Sequence, residues 1–221
     1  MDMSAVGNFL QMGGPAMWAI ALLSVFTAAV VMWKVWRLVQ AGVWSSAKPG
    51  GQVDVALQQW IEGDKNAAAR LTGRAILPCL VREAMKLRLD PHLSDAAARD
   101  EVTVLAKGMV ADLRSGLRAL ELIVTIAPLL GLFGTVLGMI DAFQTLQAAG
   151  SRADPSALAG GIWEALLTTA AGMGVAIPAA MALSWFDGIS ETMQGRMEAA
   201  ATRIFTRGPQ RINENTPGGH G

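Results

Sequence analysis

Five side chains could do chemistry because of where they lie. Thr135, Asp141, Glu164, Thr168 and Thr169 interrupt stretches dominated by Leu, Ile, Val, Ala, Gly and Met. A carboxyl placed in apolar surroundings costs several kcal/mol to keep charged. Glu164 is therefore protonatable, paired or facing water. A threonine hydroxyl in the same setting either stabilises water or a hydrated ion, or bonds its own helix. The chemistry on offer is the handling of a proton or small ion. Bond-making catalysis has little to build on: there is no Gly-x-Ser-x-Gly, Walker or His-Glu-x-x-His pattern. One cysteine, Cys79, and two histidines, His92 and His220, leave no material for a disulfide framework or a multi-cysteine metal site. Neither a metal nor a cofactor is expected. Cys79, beside Pro78 and Leu80, reads as a packing thiol.

Spacing refines this reading. At 100° per residue, Gly131, Thr135, Gly138 and Ala142 fall within about 60° of one another, a small face with one hydroxyl. Two readings stand for it: helix packing, with Gly134-xxx-Gly138 as a small-residue contact motif, or a polar lining. Asp141 sits about 120° from Thr135 and about 6 Å from the outer end of its segment, within reach of an interface. Glu164 and Thr168 share a face at i, i+4, whereas Thr169 points about 140° away from Glu164. Counted along their segments, Thr135 and Thr169 lie about 15 and 18 Å from the outer ends, which predicts that both sit near mid-membrane. Gly172 and Pro178 are assigned to helix packing with Gly131, Gly134 and Gly138, and Pro178 removes a backbone bond and can kink its helix.

The elements that must position these residues are helices in lipid. Apolar residues make up 52% of the 221 residues and charged residues 16%, against about a quarter charged in a soluble domain. Net charge is zero, so nucleic acid is not an expected partner. The charges avoid three regions: 31 positions between Asp2 and Lys34, 19 between Glu121 and Asp141, and 22 between Glu164 and Asp187. About 20 apolar residues cross a bilayer as a helix. The alternative, a soluble all-helical bundle, would place charges within such long stretches. The expected class is all-α, an integral membrane protein with three transmembrane helices at 16–38, 119–145 and 157–186. The first lacks a basic leader and is too long for a secretory signal, so it reads as a retained helix.

Seventeen of the 18 basic residues fall between Lys34 and Arg118 or after the third span, leaving only Arg152 in the loop between the second and third. The positive-inside rule then puts the N-terminal segment 1–15 and loop 146–156 outside, and 39–118 and the C-terminal helix 187–207 in the cytoplasm. Trp18, Trp33, Trp36, Trp163 and Trp185 fall near span ends, as an aromatic belt does. Lys and Arg on the cytoplasmic helices read as a solvated face, with lipid headgroups near the spans.

Helical periodicity dominates the rest. A surface segment is expected at Ser4–Met12, followed by a break at Gly13-Gly14-Pro15. Lys48-Pro49-Gly50-Gly51 is a linker or turn, and Val53, Leu57, Trp60 and Ile61 mark a helix to Gly63. Pro78 predicts a kink or break within 66–89, and Ser94 an N-cap. The absence of proline from Asp95 to Pro128 predicts one helix of about 50 residues running from cytoplasm into membrane. A helix that long needs a bundle, or neighbouring subunits, to pack against. Asp154-Pro155 opens the third span as N-cap and first position. The tail 208–221 shows no periodicity and is expected to be disordered.

Ala127-Pro-Leu-Leu-Gly-Leu-Phe-Gly-Thr-Val-Leu-Gly138, with Gly160-Gly-Ile-Trp-Glu-Ala-Leu-Leu-Thr-Thr-Ala170 and Ala176-Ile-Pro-Ala-Ala180, resembles the MotA/TolQ/ExbB proton-channel family, in its ExbB/TolQ branch. The likeness covers roughly residues 100–205 closely. It implies a homopentamer whose central pore encloses the single-span helices of an ExbD- or TolR-like partner carrying an aspartate. Proton flow there drives a TonB- or TolA-like protein that reaches the outer membrane. It further implies that Thr135 lines the pore, with Thr169 and Glu164 at the matching positions of the third span. Asp141 and Trp163 depart from the pattern, where the relatives tend to have uncharged and small residues. The MotA branch, with four spans and a larger cytoplasmic domain, fits less well. The competing reading is an assembly scaffold that holds the partner without forming the ion path.

Overall fold

The computed structural model describes residues 14–43, 51–73, 75–150 and 154–209. The expectations for Ser4–Met12, Gly13, Lys48–Gly50, the placement of Arg152 and the tail from residue 210 onward fall outside the described residues. Within them the regular elements are all helical: α1 (Gly14–Gln40), α2 (Gln52–Ile61), a 3-10 turn (Ala67–Arg70), α3 (Ile76–Leu89), α4 (Asp95–Arg114), α5 (Leu117–Ala149) and α6 (Pro155–Arg207). Three stretches are long and apolar enough to cross a membrane: Gly14–Gln40, Asp95–Ala149 across α4 and α5, and Leu158–Arg207. The chain is thus an all-helical, multi-pass membrane protein.

Local chemistry explains the ends. Ser94 caps α4, its Oγ accepting from the Ala97 N–H. Asp154 accepts from the Ser156 N–H and hydroxyl, with Pro155 as the first residue of α6. Pro78 is the third residue of α3, in the first turn, where a missing N–H costs no intrahelical bond. It therefore neither breaks nor kinks 66–89 as the sequence predicted; the break comes earlier, between the 3-10 turn and Ile76. Pro178, by contrast, lies within the 53 residues of α6.

The single helix expected from Asp95 into the membrane is also interrupted. It ends at Arg114 and restarts at Leu117, because Gly116 adopts φ +81°, a left-handed conformation that glycine takes at little cost. A Cβ there would lie 2.8 Å from the Trp33 ring. Arg37 holds the other side of the break, donating to Ser115 Oγ and pairing with Asp112 at 3.6 Å.

The chain divides into two compact units: residues up to 35 with 116–187, and 36–115 with the residues from 188 on. In the second unit, α3 packs on α4, and α2 on the 3-10 turn and α3. Its core is Leu57, Trp60, Leu80, Val81, Met85, Met197 and Ile204. Trp60 is fully buried and its indole N–H donates to the Ile204 carbonyl. Arg88 pairs with Asp95, and the guanidinium groups of Arg88 and Arg99 lie over the Phe205 ring, 5.8 and 5.3 Å from its centre.

In the first unit, α1 runs antiparallel to α5, with Ala16 against Gly134 and Trp33 against Gly116. Met17, Ile20, Leu120, Ile123 and Phe186 are buried in this unit, but many of its large apolar side chains face outward: Leu22, Phe26, Leu129, Leu132, Phe133, Leu166 and Ile177 are all exposed. So are Trp18, Trp33, Trp163 and Trp185. That inversion suits a lipid surround.

Candidate functional site: the contact between α5 and α6

Small residues decide how α5 and α6 meet. Gly131, Gly134 and Ala142 on α5 are buried, as are Ala165, Thr168, Gly172, Ala176 and Ala179 on α6. A Cβ on Gly131 would lie 2.9 Å from both the Thr168 carbonyl and Thr169 Cα. One on Gly172 would lie 2.5 Å from the Ala127 carbonyl, and one on Gly138 3.0 Å from Ala165 Cβ. Gly161, which the sequence did not single out, takes the same part opposite Ala142 at 2.6 Å. The backbones touch, and any side chain there would part them. Of the two readings left open for the Gly131 face, packing is the one this geometry realises for Gly131, Gly134, Gly138 and Gly172. Pro178 is exposed, one residue from the buried Ala179 of the contact stripe.

The hydroxyl residues fall at the edge of this contact or inside it. Thr168 is 2% exposed, its Oγ donating toward the Ala165 carbonyl at 2.7 Å and the Gly131 carbonyl of α5 at 3.1 Å. Expected along an ion path, Thr168 is instead committed to the helix contact, because its i, i+4 relation to Glu164 turns it onto the glycine face of α5. Thr169, the next residue, is half-buried, and its hydroxyl oxygen has no hydrogen-bond partner. Thr135 is also half-buried, with its hydroxyl donating to the Leu132 carbonyl at 2.6 Å. It stands at one end of a shallow groove of about 470 Å³ that runs along α5 through Met139 and Phe143 to Gln147.

The pairs Gly134–Thr168, Gly138–Ala165 and Ala142–Gly161 set an antiparallel register. By that register Thr135 is level with Leu167–Thr168, within about 3 Å of Thr169 along the axis. The two threonines thus share a height on neighbouring helices. Ala16 meets Gly134, so Thr135 is also level with the first turn of α1.

Glu164 is half-buried on α6 and Asp141 exposed on α5. By the same register Asp141 is level with Ile162, about 3 Å along the axis from Glu164, and both acids lie on the side of the threonines toward the loop joining α5 and α6. No group of three or more His, Cys, Asp or Glu side chains able to hold a metal ion occurs among the described residues.

Long apolar helices in glycine-mediated contact, with hydroxyls and acids beside it, define the class: a polytopic helical membrane protein. The chain belongs to the MotA/TolQ/ExbB proton channel family, whose model matches residues 74–199, and falls in its ExbB/TolQ branch. It is 32% identical to the biopolymer transport protein exbB1 of Vibrio cholerae, over 80% of this chain and 77% of that one. It is 34% identical to the ExbB-like 1 protein of Synechocystis, over 77% of this chain, and 33% identical to the Tol-Pal system protein TolQ of Haemophilus influenzae, over 57%. The match spans 65% of the Synechocystis protein's own length and 57% of the Haemophilus protein's.

Proposed function

We propose that this chain is the channel-forming subunit of a bacterial inner-membrane complex that uses the proton motive force to energise a TonB- or TolA-like protein. Its copies assemble as a homopentamer around the single spans of an ExbD- or TolR-like partner. The N-terminus and the 146–156 loop face the periplasm. Residues 39–118 and 187–207 form the cytoplasmic helical bundle, and spans 16–38, 119–145 and 157–186 cross the membrane. Nutrient uptake and envelope maintenance are both open to such a complex.

Protons pass between the partner's aspartate and a polar ring made by Thr135 and Thr169, with Glu164 and Asp141 setting the charge nearby. The observation that carries this reading is the shared height of Thr135 and Thr169 on α5 and α6, together with the unpartnered hydroxyl oxygen of Thr169. An oxygen of that kind is ready to accept from water or from a protonated partner acid. The partner is required because the described residues offer no acid at the height of the two threonines. The driving scale is sufficient, since one charge crossing 100 mV releases about 2.3 kcal/mol.

The test is proton flux in liposomes holding the chain with and without its partner. Thr135→Ala and Glu164→Ala should assemble normally and lower both flux and energised transport. Full flux in either variant removes that residue from the path. The scaffold reading draws on one specific observation: the Thr135 and Thr168 hydroxyl protons are already donated to helix carbonyls. It expects no partner-dependent flux at all.

A further inference from the structure

Thr125, Thr192, Thr202 and Thr206 each donate to the carbonyl four residues back in their own helix. Thr168 has such a local acceptor in Ala165, yet its hydroxyl also reaches the Gly131 carbonyl on α5. Among the described residues no other threonine hydroxyl bonds a different helix. The surroundings make that bond matter. Glycine faces let two helices approach, but a smooth face fixes their separation better than their position along the axis. A hydrogen bond is directional and weakens quickly off its line. One hydroxyl shared between Ala165 and Gly131 therefore pins a specific residue of α6 to a specific residue of α5. It does so one residue from Thr169 and one turn from Thr135.

We propose that Thr168 is a positioning residue: its hydroxyl locks the axial register of α6 on α5 and so holds Thr169 level with Thr135. The role rests on the proton-path reading of those two threonines. Without the lock, a slip by one residue moves Thr169 by about 1.5 Å along the axis, a displacement large enough to misalign a proton relay.

The experiment uses the full chain assembled with its partner, in a Cys79→Ser background. Spin labels go on the exposed positions Ile140 of α5 and Leu166 of α6, with labelled copies diluted so that each assembly holds one. Thr168→Val keeps the side-chain shape and removes the donor, while Thr168→Ser keeps the donor and removes the methyl. Thr168→Val should shift or broaden the label distance and lower proton flux about tenfold, and Thr168→Ser should restore both. An unchanged distance with undiminished flux in Thr168→Val overturns the proposal, as does Thr168→Ser failing as badly as Thr168→Val, which would assign the effect to volume. If Thr168→Val does not assemble, Thr168→Ala, which also lacks the donor and adds no thiol, goes through the same two measurements under the same criteria. Thr135→Ala run in parallel keeps the two ideas apart. Normal flux in that variant takes Thr135 out of the proton path, whereas the label distance reports the register without reference to protons.

Discussion

The membrane unit and the second unit pack by opposite rules. In the first, helices meet through Gly131, Gly134, Gly138, Gly161 and Gly172, and large side chains such as Leu132, Phe133 and Trp163 point away from the contact. In the second, the bulkiest of the buried side chains is Trp60, with Leu80, Val81 and Met85 in the same core. The ion pairs Arg70–Asp64, Arg82–Glu83 and Arg88–Asp95 all belong to this unit. The surround accounts for the contrast. Water rewards burying apolar area, whereas lipid is as apolar as leucine and leaves close van der Waals contact to hold helices together. α6 obeys both rules along one stripe. Ala165, Thr168, Gly172, Ala176 and Ala179 are buried in its first half, and Phe186, Met193, Met197 and Ile204 in its second. The spacing persists while residue size changes.

The comparison breaks most readily at Trp60. If the second unit is held by area burial, Trp60→Ala should cost about 3–5 kcal/mol, through lost area and the cavity left behind. Chemical unfolding in detergent, followed by a label on α3, measures it. A cost under about 1 kcal/mol would mean that the core of this unit is not where the second rule places it.

In the membrane unit enlarging a residue should do the damage. Gly172→Ala places a methyl against the Ala127 carbonyl, where backbone must yield, and should destabilise by about 1–3 kcal/mol. Gly174→Ala, two residues away with nothing within 4 Å, should be neutral or gain up to about 1 kcal/mol from helix propensity. Equal stabilities for the two variants would contradict contact by close backbone approach.

Gly116 is subtler, because it carries the left-handed turn that separates α4 from α5. Gly116→Ala should cost about 1–2 kcal/mol for its positive φ alone, plus the displacement of the Trp33 ring. Thermal unfolding of Gly116→Ala beside Gly108→Ala, a glycine in open space within α4, isolates the conformational part. A stabilised Gly116→Ala would mean that the break is not needed and that α4 and α5 can run as one helix.

What the sequence revealed follows the same division. The spans were legible from charge gaps, because an unpaired charge in lipid is expensive enough to leave a long blank. The glycine contact was half legible: the spacing of Gly131, Gly134 and Gly138 marked a face without saying whether lipid, water or another helix would meet it. Thr168 was misplaced because its hydroxyl is read by the residue opposite, Gly131, some 37 positions away in the chain. The break at Ser115-Gly116 carried a signal, since Ser-Gly is a turn dipeptide, but the surrounding helical run outweighed it. The relative depth of α1 and α5 was not legible at all, as it depends on which residues touch and not on the length of either segment.

The smallest effect sharpens the comparison from the side of charge. Lys86, hydrogen-bonded to Glu83 at 2.9 Å, holds the Glu83 carboxyl below its ordinary value of 4.5, with Arg82 contributing and slight burial opposing. A depressed carboxylate adds stability that is fully present above its unfolded value and is lost as pH falls through the folded one. The group is largely solvated, so screening limits the contribution to about 0.5 kcal/mol or less. Wild type should therefore melt slightly above Glu83→Gln at pH 7, and the gap should close below about pH 4.5. A gap that persists at pH 3 would mean that Glu83 contributes through packing instead of charge, and that this surface of the second unit is held by contact of the kind that joins α5 to α6.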